Sequence, residues 1–272
     1  SERGDKNLAF KYLERASQLN PNNSIIKIEY ISFLCLFSEY KKLSKFYDSI
    51  KTLGIEGESI DPFKLIQIED DPVKYFLRAK KYYKKKYFNK GKKVNYQNKS
   101  KINIAYLSAN FYSHPISKLI VGIFENHNKS KFNIFAYSLN KIEDEYTIRI
   151  KESVFCYREI SELSDSEIID IAINDQIDIL VDLMGHTKGN RMSVLSKRMA
   201  PIQMHYFGPT TGSNQIDFLL ADKVVLPEKY FKFYTEKIIQ LPNCYLCFDD
   251  KTKVSSRVFK DGSWGFASNA EI

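Results

Sequence analysis

The chain has 272 residues, 43% hydrophobic, 14% aromatic and 27% charged, with a formal net charge of +8. That length holds one large domain or two small ones with a real core, and the aromatic content excludes a chain disordered throughout. No run approaches the ~18 uncharged apolar residues of a membrane span and no signal peptide opens the chain, so membrane and secreted classes are weak and a cytoplasmic protein is expected.

The chain starts at Ser1 within an expected helix, which suggests a fragment or a processed product. Ala9, Tyr12, Leu13, Ala16 and Leu19 share one helical face and predict a helix over 5–20. Asn20-Pro21-Asn22-Asn23 stops it, and Asn23 or Ser24 caps a second helix running from Ile25 to Phe37. A third helix is predicted from Tyr40 to Leu53, ended by Gly54. The pattern from Ala9 to Pro21 resembles the second helix of a tetratricopeptide repeat, without a second copy at the ~34-residue period.

Residues 54–64 read as a loop, and Asp71-Pro72 opens a helix reaching about Phe88. Residues 80–101 carry ten lysines and no acid, so the rest of the chain is slightly acidic. A solvated helix end followed by a polar, flexible linker over 89–100 is the simpler expectation, and an RNA or acidic-lipid partner is the alternative. Nucleic acid is not the expected partner.

From residue 101 the texture changes. Strands are predicted at 101–107, 132–139, 178–183, 202–207 and 217–221, with helices at 116–126 and 166–174, the latter capped by Ser164 or Asp165. Strands alternating with ~10-residue helices predict parallel βαβ units in an open, Rossmann-like α/β sheet. Neither a dinucleotide fingerprint nor a P-loop is present.

In such sheets ligands bind beyond the carboxyl ends of the strands. The segments there are 108–115, with His114; 182–189, with Asp182, Gly185, His186 and Thr187; and 207–212, with Gly208, Thr210, Thr211 and Gly212. Their hydroxyls, imidazoles and close-approach glycines suit a polar ligand bearing many hydroxyls. Cys35, Cys156, Cys244 and Cys247 read as reduced thiols. Cys244 and Cys247 form one CxxC with His205 the nearest histidine upstream, which falls short of a zinc set, so no metal is expected.

Four ordered blocks, at residues 110–120, 178–191, 200–212 and 226–248, resemble the catalytic region of the protein O-linked N-acetylglucosamine transferase family with its bacterial and SPINDLY-type relatives. Residues 61–82 are similar to the segment that joins repeats to catalytic region there. The resemblance implies the first lobe of a two-lobed GT-B glycosyltransferase, inverting and metal-independent, preceded by tetratricopeptide-like helices that recruit protein acceptors. The implied donor is UDP-N-acetylglucosamine, or GDP-fucose in the SPINDLY branch, and the acceptor is a Ser or Thr hydroxyl.

By the same resemblance His114 is the catalytic-region histidine near sugar and acceptor, and Thr187 lies beside the donor sugar. Gly208, Thr211 and Gly212 belong to the loop lining the donor, and Asp182 takes a polar strand-end position. His186 and Thr210 fall in the same blocks. The 208–212 loop is two residues shorter than the family's, and residues 264–269 resemble the first strand of a second lobe that does not follow. The expected organisation is therefore tetratricopeptide-like helices at 1–53, a helical lysine-rich linker at 54–100, a Rossmann-like lobe at 101–262 and the start of a second lobe at 263–272. The chain by itself is expected to be inactive. The other readings are a non-catalytic protein-binding module derived from the same family, and an unrelated α/β domain with a basic segment for RNA or lipid.

Overall fold

The structure, a computed structural model, describes residues 2–88, 91, 94 and 99–252. Most of the expected linker at 89–100, and all of the expected second-lobe start at 263–272, lie outside the described residues.

Two helices open the chain, α1 (Glu2–Leu19) and α2 (Ser24–Leu36). The Asn23 side chain accepts the Ile26 N–H at 2.9 Å and so caps α2. Phe10 of α1 stacks on Tyr30 and Phe37, with ring centroids 5.7 and 5.0 Å apart. The continuous third helix expected from Tyr40 to Leu53 is instead broken into α3 (Tyr40–Leu43), a 3-10 turn at Ser44–Phe46 and α4 (Tyr47–Ile50). The Ser44 hydroxyl donates to Lys41 O and the Ser49 hydroxyl to Phe46 O, at 3.0 and 2.9 Å. Such local bonds compete with the helical ladder. Ile28, Ile31, Leu34, Leu43, Ile50 and Leu65 form one buried cluster; full burial of each such side chain is worth about 1.5–3 kcal/mol.

Helix α5 (Pro72–Lys86) starts at Asp71, whose carboxylate accepts the N–H groups of Val73 and Lys74. Its buried Arg78 donates to Ile50 O and Leu53 O, both at 2.7 Å, and pairs with Glu69. The guanidinium thus satisfies carbonyls left open at the end of α4 and fastens α5 to the preceding helices.

The remainder is a sheet of seven strands, all parallel: β1 (Ile102–Ser108), β2 (Phe132–Ser138), β3 (Cys156–Glu159), β4 (Ile179–Asp182), β5 (Ile202–His205), β6 (Phe218–Ala221) and β7 (Lys237–Gln240). They lie in the order β3-β2-β1-β4-β5-β6-β7. Four helices pack on it: α6 (Pro115–Asn126), α7 (Glu145–Ser153), α8 (Asp165–Asn174) and α9 (Met192–Lys197). Alternate residues point to opposite faces. Ala105, Leu107, Phe135 and Leu180 meet α8 and α9, together with Tyr83 of α5. Ile104, Tyr106, Ile134 and Val181 meet α6 and α7. Ser164 caps α8 through a reciprocal bond pair with Glu167. Helices α7 and α9, strands β3 and β7 and the 3-10 turn Glu228–Phe233 were not expected from the sequence. Among the described residues, no helix is long and apolar enough to cross a membrane.

Candidate functional site at the carboxyl edge of the sheet

From β1 the chain proceeds to β2 on one side, while β4 lies on the other, so the loops leaving β1 and β4 diverge and open a crevice between them. A cleft of about 550 Å³ lies there, lined by Asn110, His114, Leu183, Thr187, Gly189 and Phe207 among others. The expected residues His114 and Thr187 therefore come together from different loops.

His114 is the N-cap of α6. Its Nδ1 accepts the Ile116 N–H at 3.2 Å, and Pro115 supplies the first helical turn. Partial burial lowers the His114 pKa below the ordinary histidine value, which favours the neutral ring. Thr187 stands in a tight turn after β4, where its N–H and hydroxyl both donate to Met184 O at 3.0 and 2.7 Å. Gly189, at φ +85°, brings the same turn against Ala109 after β1. The Met184 sulfur accepts the Ala109 N–H at 3.2 Å, a second tie between the two loops.

The other expected residues do not line this cleft; most are buried and bonded inward. Asp182 accepts the Met184 and Gly185 N–H groups at 3.1 and 2.8 Å, and its Oδ2 lies 3.0 Å from His205 Nδ1. Burial disfavours charge on His205, but the Asp182 hydrogen bond and charge outweigh it and raise the pKa. His186 donates its Nε2–H to Thr211 O at 2.7 Å and sets its ring edge-on to Tyr82; burial lowers its pKa and keeps it neutral. Thr210 donates its hydroxyl to Glu236 Oε2 at 2.7 Å, and Thr211 donates its N–H to Oε1 at 2.8 Å and its hydroxyl to the same oxygen. Gly212, at φ +71°, packs directly on the backbone of Ala79 in α5. Gly208 stays half-exposed and covers His205 Nε2, which has no hydrogen-bond partner among the described residues.

His205, Glu236, Asn110 and Phe207 thus belong to the site or its support without having been singled out as site residues. Asp182 and His205 are direct register partners at the ends of β4 and β5, so aligning the two strand ends would have paired them. Phe207 takes φ +69°, rare for a bulky side chain, and stacks on Tyr206 at 3.7 Å. Its place at the cleft wall follows from this backbone, for which the sequence holds no signal.

Cys244 is exposed and Cys247 is half-buried, its sulfur 3.8 Å from the Tyr206 hydroxyl, which donates to Tyr245 O. Among the described residues, the acidic group Glu125, Asp249 and Asp250 is close enough to share a cation. Arg149 already bonds both Asp249 oxygens at 2.9 and 3.0 Å, and Lys251 pairs with Glu125 at 2.7 Å, so the group's charge is largely neutralised.

Comparisons with known proteins bear on the family and the fold. Residues 75–260 match the model of Glycosyl transferase family 41. The SEC protein of Arabidopsis thaliana, named a probable UDP-N-acetylglucosamine–peptide N-acetylglucosaminyltransferase, is 36% identical over 156 residues, covering 56% of this chain and 16% of its own. The SPINDLY protein of the same plant, with the same activity in its name, is 30% identical over 153 residues, 54% of this chain and 17% of its own. The chain therefore spans well under a fifth of these relatives. A mutant O-GlcNAc transferase of Thermobaculum terrenum superposes with a TM-score of 0.73 at 23% identity, over 90% of this chain and 49% of its own, and shares the fold. With the family model covering most of its length, sheet and carboxyl-edge loops included, the chain belongs to glycosyltransferase family 41.

Proposed function

We propose that the chain is part of a protein O-glycosyltransferase whose sheet edge holds a nucleotide sugar against a serine or threonine hydroxyl of a protein acceptor. The observation that carries this reading is the meeting of His114 and Thr187 on one cleft at the strand-order reversal of a family 41 lobe. UDP-N-acetylglucosamine is the proposed donor. The acceptor oxygen attacks the anomeric carbon, the bond to the nucleoside diphosphate breaks with its electron pair leaving on the diphosphate, and the acceptor proton passes to solvent. Configuration inverts, and no metal takes part. The leaving charge is neutralised chiefly by a second lobe, so the chain alone is inactive. The tetratricopeptide-like helices α1–α4 hold protein acceptors, and the enzyme works in the cytoplasm.

His114 then acts as a donor. A neutral imidazole whose Nδ1 accepts a backbone N–H carries its proton on Nε2. It offers that N–H to a sugar or phosphate oxygen and would break its own helix cap to serve as a base. Thr187 directs its hydroxyl hydrogen to Met184 O and keeps oxygen lone pairs for a sugar hydroxyl. Gly208 lets the donor approach the backbone. Asp182, His186, Thr210, Thr211 and Gly212 support the loops from below. Such preorganised donors typically contribute about 3–4 kcal/mol to a transition state.

The test is transfer from UDP-N-acetylglucosamine to a serine-containing protein by the polypeptide that carries these residues in the cell. Transfer is expected, and His114→Ala is expected to lower it roughly tenfold or more. Absence of transfer from both UDP-N-acetylglucosamine and GDP-fucose overturns the reading.

A further inference from the structure

Far from the sheet edge, a cleft of about 570 Å³ opens among α1, α2 and the α3–α4 segment, lined by Glu14, Lys27, Tyr30, Lys42, Lys45 and Phe46 among others. Its one carboxylate is already satisfied. Glu14 pairs with Lys42 at 2.8 Å and accepts the Tyr30 hydroxyl at 2.9 Å, and these two bonds lower its pKa. Lys27 and Lys45 meet no carboxylate among the described residues. The cleft lining thus includes two lysines without a carboxylate partner among the described residues, the half-buried ring of Phe46, and the side-chain amides of Gln18 and Asn22 as further donors.

We propose that this cleft docks an acidic stretch of a protein chain, with side-chain carboxylates reaching Lys27 and Lys45 and its aliphatic carbons lying on Phe46. Charge complementarity selects the partner. A single-stranded nucleic acid fits less well, because it needs open aromatic faces on which to stack bases. Tyr30 is buried in the helical core and holds Phe46 in an edge contact at 5.8 Å. The proposal extends the reading that α1–α4 hold protein acceptors by naming the acceptor's chemistry.

Fluorescence anisotropy of this chain with a labelled peptide of alternating glutamate and serine, without any nucleotide sugar, tests it independently of transfer. Saturable binding is expected, weakened roughly tenfold by the glutamine counterpart peptide and to the same degree by Lys27→Gln/Lys45→Gln. The double variant keeps the aliphatic stems, and circular dichroism verifies its fold. Lys84→Gln, in the lysine-rich end of α5, is expected to bind as wild type. Equal binding of both peptides, no binding, or no effect of the double variant overturns the proposal. So does tighter binding of oligouridylate that the same double variant abolishes, which would assign the cleft to RNA. Loss of peptide binding leaves the transferase reading standing, and absence of transfer leaves the docking cleft standing.

Discussion

His205 Nδ1 lies 3.0 Å from Asp182 Oδ2, and the two residues face each other in register at the ends of neighbouring strands. Asp182 also accepts the Met184 and Gly185 N–H groups, so one carboxylate joins β5 to the turn that carries Thr187. His205 has a raised pKa, because Asp182 outweighs the cost of burial. A raised folded-state value means that protonation stabilises the fold. The contribution is complete below the ordinary histidine value and is lost as pH rises through the folded-state one. His205→Gln is therefore expected to lose more stability relative to wild type at about pH 6 than at about pH 9, read from urea midpoints. An equal loss at both would mean that the folded state does not take up this proton.

Gly212 and Gly57 both have positive φ, +71° and +59°, but their surroundings differ. A Cβ on Gly212 would lie 2.3 Å from the carbonyl carbon of Ala79, whereas one on Gly57 meets nothing within 4 Å. Gly57→Ala is expected to cost about 1 kcal/mol, the backbone term alone. Gly212→Ala is expected to cost about 3 kcal/mol or more, since α5 or the loop has to move. Thermal melts of the two variants side by side measure the difference.

Glu236 is buried and takes three hydrogen bonds from Thr210 and Thr211. Glu236→Ala strands the Thr211 hydroxyl and N–H in the interior and leaves the Thr210 hydroxyl only Thr235 Oγ1, at 3.2 Å, to donate to, and a loss of about 3 kcal/mol is expected. Thr211→Val removes one of those bonds while preserving shape, and about 1 kcal/mol is expected. Should the two variants have similar urea midpoints, Glu236 does not organise the loop.

His114 caps α6, and its proposed role as an N–H donor in the cleft can be tested separately. Asparagine is a favourable cap residue, so His114→Asn is expected to hold stability within about 1 kcal/mol of wild type while lowering transfer as His114→Ala does. Thr187→Val is expected to raise the KM for donor more than it lowers kcat, because it removes the proposed sugar contact. A kcat effect alone would place Thr187 outside the sugar contact.

The parallel sheet was legible because β1, β2 and β4 are short apolar runs with helical stretches between them, one of which, α8, carries a plain cap at Ser164. Strands β3 (Cys-Tyr-Arg-Glu) and β7 (Lys-Ile-Ile-Gln) were not, because they are four residues long and lie at the sheet edges, half-buried or exposed. Helix periodicity read Tyr40 to Leu53 as one helix, since it does not register two serine hydroxyls that turn back on the backbone. At the site, the loops were legible as positions after strands. Which of their residues face out was not: the hydroxyls of Thr210 and Thr211 look like ligand contacts until Glu236, some 25 residues further along the chain, is found beneath them.

The seat of Gly212 on Ala79, together with the Arg78 bonds to Ile50 and Leu53, leaves no hinge at α5 between the sheet edge and the amino-terminal helices. For a transferase this turns docking into measurement. In the proposed enzyme, a protein chain anchored on the helices would be presented to the cleft across a set span, and the residue modified would be chosen by its distance along the acceptor from the anchored stretch. A flexible joint at the same place would let many distances through and leave selection to the sequence around the hydroxyl.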